Sequence, residues 1–428
     1  MRRPQAVGAH FYSDAVTSRR LRPQASDPFS VIDLFSGAGG ASYGFQAHPA
    51  FKLLGAADAE IGKPSTGFGA IDCNETYARN IGLTPINADL GTVSPEALAE
   101  TLASSVDLSV LIACPPCTGF SRTLAKNHLE DDPRNSLVAR VAEFARELNP
   151  RVIFLENARE LISGKFRYHL EALAERLEGL GYTVSAEVHL LTRFGLPQFR
   201  ERAIVIATQE GLPHYTLNDL WRGLQVDPSA TTVRRAIESL PQIMAGERHS
   251  LDPAHTSTLT SGMSLRRVQA IPSDGGSWVD LIGHPTTESY LTPAMLRSIE
   301  AGTLNHFCDI YGRMAWDRPA PTIKRECAHP GNGRYLHPEQ HRLLSVREMA
   351  ILQGFPSAYL FPARSRKNAY RHVGDAVPPL VSYQVAGLVE WILTGQRPAI
   401  ADMILPGSHL TIEDIAETRE DADNEAVA

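Results

Sequence analysis

Apolar and polar positions along the first half of the chain alternate between two rhythms. Residues 29–35 (FSVIDLF) form a β-branched and aromatic run that stops at Ser36-Gly-Ala-Gly-Gly40, which predicts a strand, a tight turn and a helix. Residues 51–57 (FKLLGAA), 106–113 (VDLSVLIA) and 151–155 (RVIFL) predict further strands, as does AIVIA at 203–207, with helical patterns between the first four. Ser94-Pro95-Glu96 opens one of those helices with a capping hydroxyl, a proline at the first helical position and an acid in the first turn. Strands alternating with helices imply an α/β fold with a doubly wound, largely parallel sheet, whose ligands sit at the carboxyl ends of the strands. From about residue 208 to residue 320 the pattern is irregular and rich in Pro, Gly, Ser and Thr, as in a smaller, loop-rich second domain. Helical periodicity returns at 346–352 and 380–391. The expected organisation is a flexible arm at 1–27, a first domain at 28–207, a second at 208–345, a return to the first at 346–400 and an acidic tail at 405–428.

Composition narrows the class. With 428 residues and 43% hydrophobic content, the chain can bury a sizeable core and divides into about two domains. No uninterrupted apolar run reaches the length of a membrane helix, and MRRPQAVGAHF lacks the apolar stretch of a signal peptide, so no membrane association and a cytoplasmic address are expected. Cys73, Cys114, Cys117, Cys308 and Cys327 make no disulfide framework in a chain of this length; a reducing compartment and a special use for one or two thiols are expected instead. The net charge of −7 argues at first against nucleic acid. Its distribution weakens that objection: the acids gather in the tail TIEDIAETREDADNEAVA, whereas Arg2, Arg3, Arg19, Arg20 and Arg22 mark the opening arm and residues 313–347 are rich in arginine.

Several motifs fall at strand ends. The turn after the first strand places Phe35, Gly37 and Gly39 where glycines let a ligand approach a helix N-terminus. A dinucleotide fingerprint needs a third glycine that Gly37, Gly39 and Gly40 do not supply at the right spacing, which favours a shorter nucleoside ligand. Asp58, ending the second strand, is where an acid would accept hydrogen bonds from ribose hydroxyls, and Asp89 lies on the same rim; either also reads as a helix cap or loop residue. Cys114-Pro-Pro-Cys117 admits half a zinc site, a redox pair or a nucleophilic thiolate, the last fitting a cysteine just past a strand end with Arg122 nearby. Glu156-Asn157 ends the strand RVIFL, bringing a carboxylate to the same rim. In Gln198-Phe-Arg-Glu-Arg202, Arg200 and Arg202 stand two apart in extended chain and so point to one face.

Taken in order, FSGAGG, ACPPCTGFS, FLENA, GLPQFRER, RECAHPGNGRYLHPEQHRLLSVREMAILQGFP and VGDAVPPLVSYQVAG resemble the DNA (cytosine-5) methyltransferase family over residues 31–389. The resemblance implies a Rossmann-like domain for S-adenosylmethionine, with no metal, and a smaller target-recognition domain. It implies that Phe35, Gly37 and Gly39 border the cofactor with Asp58 on its ribose, Asp89 near its adenine and Asp375 also in contact. It makes Cys117 the nucleophile, Glu156 the acid at the base ring, and Arg200 and Arg202 the active-site arginines. The implied partner is double-stranded DNA bound by a monomer that flips its target base, with a cognate restriction endonuclease acting separately in a restriction-modification system.

Thr118 stands where the family has glutamine, Ala158 where it has valine and Asp375 where it has asparagine; none removes a reactive group. Residues 60–73 look like an insertion, which makes Asp72 a rival to Asp58 for the ribose. The likeness is weakest at 208–306, where target recognition belongs. Three other functions bear comparison. Amino-group methyltransferases resemble one another in an Asp/Ser/Asn-Pro-Pro-aromatic motif, whereas here the prolines lie between Cys114 and Cys117. A family branch acting on transfer RNA has a shorter recognition region. A non-catalytic DNA-binding relative would have no use for Cys117, Glu156 and Arg202 together.

Overall fold

The computed structural model describes residues 27–61, 70–103, 107–117, 119, 131–304 and 308–418. The arginines of the opening arm, most of the expected insertion, Thr118, Arg122 and the last ten residues of the acidic tail lie outside the described residues.

Seven strands carry the first half: β1 (Phe29–Leu34), β2 (Phe51–Ala57), β3 (Val110–Ala113), β4 (Val152–Ala158), β5 (Tyr182–Leu190), β6 (Gln198–Phe199) and β7 (Glu201–Gln209). Six form one sheet in the order β2-β1-β3-β4-β7-β5. β1 to β4 run parallel, and β7 lies antiparallel to both β4 and β5, so the sheet is parallel apart from β7. Alternate residues of each strand feed two cores. Val31, Ile112, Phe154 and Ile204 enter one, with the helices Gly40–Ala47 and Pro379–Thr394; Ile32, Leu111, Ile153 and Val205 enter the other, with the helices Leu137–Leu148 and Tyr168–Glu178. This is the doubly wound arrangement. Both strands and helices are placed by burial: Val138, Val141, Ala142, Phe144, Ala145 and Leu148 make one apolar stripe on the helix Leu137–Leu148.

The C-terminal helix Pro379–Thr394 packs closely on Gly40–Ala47 because glycines face it. A Cβ at Gly44 would lie 2.1 Å from Ser382 Oγ, and one at Gly40 2.3 Å from the Val377 carbonyl oxygen. The stretch Arg366–Thr394 is long and apolar enough to cross a bilayer, yet 83% of its most apolar window is buried within the protein, as in a core helix.

Three expectations need correction. β4 does not stop at residue 155; pairing with β7 carries it through Glu156 and Asn157 to Ala158, which sits opposite Arg202. The core of the sheet does not stop at residue 207, since Leu217, Leu220, Trp221 and Val226 belong to it. The tail expected from residue 405 is folded as far as residue 417: Leu405, Leu410 and Ile415 are buried, and Ile415–Glu417 pairs antiparallel with Leu224–Val226. Three apolar residues at intervals of five anchor a segment in which Glu413 and Glu417 are exposed and Asp414 accepts from Thr411.

Between residues 233 and 376, short helices and turns surround two further cores, one around Trp316, Leu344 and Tyr370 and one around Trp278, Met295 and Leu336.

Candidate active site

The carboxyl ends of β1, β2, β3 and β4 open onto one cavity of about 390 Å³, a size usual for small-molecule sites. After β1 the chain turns sharply, with Phe35 (φ 61°) and Gly37 (φ 52°) both in the left-handed region; a non-glycine residue held there is a mark of functional turns. Asp58 follows β2 and fastens this turn. Its Oδ2 accepts the Gly37 N–H (2.9 Å), its Oδ1 the Glu60 N–H (2.6 Å), and the Cys73 thiol donates to Oδ1 at 3.6 Å. Burial raises the Asp58 carboxyl above the ordinary range, against those two N–H donors. Phe35, Gly37, Asp58 and Asp89 all line the cavity. Gly39 does not: its φ of 89° directs it toward Tyr359, Tyr77 and Ile81, so it shapes the turn from behind. Asp72 is also turned away, accepting the Arg364 N–H and the Asn368 amide, each at 2.6 Å. The cavity therefore meets Asp58 and not its rival.

At the other end stands Cys117, partly exposed just past β3. Asn157 holds the loop that presents it, donating from Nδ2 to the Pro115 carbonyl at 3.0 Å, while the Glu156 N–H donates to Cys114 Sγ at 3.3 Å. Both cysteines line the cavity, but they are differently placed: Cys114 Sγ accepts the Glu156 N–H of β4, and the Cys117 thiol lies in the field of Arg202 and Glu156. Glu156 Oε1 lies 2.8 Å from Arg202 Nε, but the pair is not aligned for a hydrogen bond, and both atoms are buried without another partner. The enclosing protein raises the Cys117 thiol; Arg202 is the strongest opposing charge, Glu156 adds to the rise and Arg200 opposes it. Arg200 is buried, donating to the carbonyls of Ile323 (3.2 Å) and Ala376 (3.3 Å). It ties β7 to the returning C-terminal segment, and burial lowers its pKa. Gln198 is a clasp of the same kind, donating to Gln353 Oε1 (2.8 Å) and accepting the Ile323 N–H (3.0 Å).

A family model described as C-5 cytosine-specific DNA methylase matches residues 29–391. The chain belongs to that family. The methylase is 30% identical to the Type II methylase M.HgiDII of Herpetosiphon aurantiacus over 375 residues, covering 86% of this chain and 96% of that one. It is 27% identical to the DNA (cytosine-5)-methyltransferase 1 of Mus musculus, a match covering 82% of this chain and 27% of the mouse protein. Two solved structures share the fold: a putative DNA modification methyltransferase encoded within a prophage of E. coli (TM-score 0.57, 21% identity, 85% of this chain and 99% of that one) and the S. pombe Dnmt2 methyltransferase (TM-score 0.54, 19% identity, 85% and 99%). The methylase is a DNA (cytosine-5) methyltransferase, and its reaction transfers a methyl group from S-adenosylmethionine to cytosine.

In the structure of the methylase Cys117, Glu156, Phe35, Gly37, Asp58, Asp89 and Asp375 line the cavity, whereas Arg202, set against Glu156, and Arg200, bound to the carbonyls of Ile323 and Ala376, do not line it. Sequence reading missed Glu60, Arg134, Arg325 and His372, which also line it. Glu60 and His372 carried no motif signal. Arg325 stood within the arginine-rich stretch, where nothing local distinguishes a surface cation from one that reaches a distant cavity. Among the described residues no three His, Cys, Asp or Glu side chains come together as metal ligands, so none of these joins Cys114 and Cys117 in a zinc-type cluster.

Proposed function

We propose that the methylase acts on carbon 5 of a cytosine flipped out of duplex DNA, through a covalent bond between Cys117 and the neighbouring ring carbon. One observation carries the reading: Cys117 and Glu156 line the same cavity as Asp58, and Arg202 is set against Glu156. Carbon 5 is too weak a nucleophile to take a methyl group directly. The Cys117 thiolate adds its electron pair to carbon 6, the ring double bond moves toward nitrogen 3, and Glu156 supplies the proton received there. Arg202 holds the carbonyl oxygen of the base, where charge develops. Bound S-adenosylmethionine would supply the methyl group to the resulting enamine carbon, its sulfonium becoming a thioether. A base then takes the proton from carbon 5, which restores the ring double bond and expels the thiolate, while nitrogen 3 returns its proton to Glu156. Base flipping is required because the target carbon is hidden in the stack, at a cost of a few kcal/mol.

The cavity fits the cofactor chemically. Phe35 and Gly37 would border it, Asp58 would take its ribose hydroxyls and Asp89 its adenine, with Gly39 acting only through the turn. Ser36 Oγ and two nitrogens of Arg325 are buried polar atoms without partners on its lining residues, as expected where a polar ligand completes the bonding. Residues 208–306 would choose the DNA sequence. The name of the Herpetosiphon relative, a Type II methylase, supports a place in a Type II modification system; the protein would work as a monomer, with a cognate endonuclease acting separately.

Expression in a host free of DNA methylation tests this. Genomic sequencing should find 5-methylcytosine at one recurring duplex sequence; N4-methylcytosine would overturn the chemistry, and methylation confined to transfer RNA would overturn the substrate.

A further inference from the structure

Arg325 reaches the cavity from a segment far along the chain. It shares the cavity lining with Gly37 and Asp58, and one guanidinium nitrogen, Nη1, lies 3.2 Å from Asp375 Oδ2. Its Nε and Nη2 are buried and have no hydrogen-bond partner. A guanidinium presents donors in a rigid fork, and leaving donors buried and unmatched is costly. The natural complement is a carboxylate or phosphate, which the fork binds through two parallel bonds.

Asp375 gives the ligand its second feature. It stands where the family has asparagine, and its side chain is 35% exposed, so one acid faces the cavity beside one cation. Burial pushes Asp375 up to about 6, with Arg325 the foremost group opposing the rise and Arg371, Glu326 and Arg200 also in range. The pair shares its cavity with both Asp58 and Cys117. A ligand whose nucleoside lies at Asp58 and whose reacting group faces the Cys117 end must run its remaining part along this wall. That part of S-adenosylmethionine is an α-amino acid, carrying a carboxylate and an ammonium on one carbon.

We propose that Arg325 and Asp375 together hold the amino-acid end of the cofactor, Arg325 its carboxylate and Asp375 its ammonium. This rests on the cofactor reading above. A phosphate of DNA is the competing anion for Arg325, but the unmatched nitrogens are shielded at the cavity wall.

The test is calorimetric titration of the full chain with three ligands: S-adenosylhomocysteine, methylthioadenosine (the same nucleoside thioether without the amino acid) and decarboxylated S-adenosylmethionine (ammonium without carboxylate). Arg325→Met should weaken S-adenosylhomocysteine by about 10-fold to 100-fold, leave methylthioadenosine within about twofold, and bind the decarboxylated ligand as well as the wild type or better. Arg325→Lys, which keeps the charge and loses the fork, should fall between. Asp375→Asn should weaken both ligands that carry an ammonium and spare methylthioadenosine. Unchanged S-adenosylhomocysteine binding in Arg325→Met, or an equal loss of all three ligands in both Arg325 variants, would overturn the assignment. If the wild type bound none of them, the cofactor reading itself would fail.

Discussion

The sheet and the region beyond it are held together by different forces. Around the sheet, alternate apolar residues of each strand enter one of two cores, and among the described residues up to 210 Arg200 is the one buried arginine. Between residues 238 and 348, buried cations do much of the joining. Arg313 is fully buried and has no ion pair with a carboxylate among the described residues; it donates to the carbonyls of Ile271, His337, Gln340 and Val268 and to the His341 ring. Arg342 and Glu348, both 1% exposed, form a two-pronged pair at 2.7 Å in each prong, and Glu348 also accepts the Ser345 N–H at 2.6 Å. Burial would raise the Glu348 carboxyl, but these partners bring it down to about 2. Arg347 reaches Asp252 in the same way. An apolar core tolerates change if volume is kept, whereas a polar clasp depends on each partner. The sheet is thus the rigid platform for chemistry, and the second region is an irregular chain pinned at a few points.

That contrast can be broken at its strongest point first. If the chemistry belongs to the sheet side, Cys117→Ser should lower methyl transfer by at least about 1000-fold while leaving unfolding and S-adenosylhomocysteine affinity unchanged. Cys114→Ser should keep activity within about 10-fold, because Cys114 faces β4. Equal loss in both variants, measured with labelled cofactor, would restore the paired-cysteine reading.

The next test addresses the clasps. Arg313→Met should cost about 3 kcal/mol or more of local stability, since four carbonyls lose their donor at once. Hydrogen exchange should speed up between residues 265 and 341 and stay unchanged in β1 to β4. Equal acceleration in the sheet would mean that the two regions unfold as one.

A third test concerns an acid of the sheet core with one unpaired oxygen. Asp33 accepts the Ser42 hydroxyl at 2.6 Å on one oxygen, while the other is buried without a partner. Burial pushes the carboxyl up to about 8, with Asp58 adding to the rise and the Ser42 bond opposing it. A raised folded value means that the protonated form is favoured on folding. The associated stability is complete below about 4 and is lost as pH rises through about 8. Urea unfolding from pH 5 to pH 8 should show the wild type losing up to about 1.4 kcal/mol per pH unit relative to Asp33→Asn. Parallel pH profiles would show that Asp33 is ionised throughout.

Much of the platform was legible in the sequence because its signals are local. A strand followed by a glycine turn, a proline pair before Cys117 and an acid after an apolar run each sit within a few residues, and Phe51–Ala57 and Val346–Leu352 match their expected bounds. The end of β4 was not legible: Glu156 and Asn157 look like strand terminators until β7 is known to pair with them. Arg325 was hidden for a related reason, since its partner Asp375 and its cavity are set by tertiary contact. The folded part of the tail was missed because acidic composition outweighed three well-spaced apolar residues.

The central claim is that Cys117 attacks the target ring, and fluorine at carbon 5 tests it most directly. Addition and methyl transfer can proceed on such a base, but fluorine cannot leave as a cation, so the adduct cannot resolve. Duplex DNA carrying 5-fluorocytosine at the methylated site should give, with S-adenosylmethionine, a denaturant-resistant complex whose crosslinked peptide contains Cys117, and Cys117→Ser should give none. Wild-type protein that methylates ordinary cytosine at carbon 5 yet never forms this complex would contradict the account.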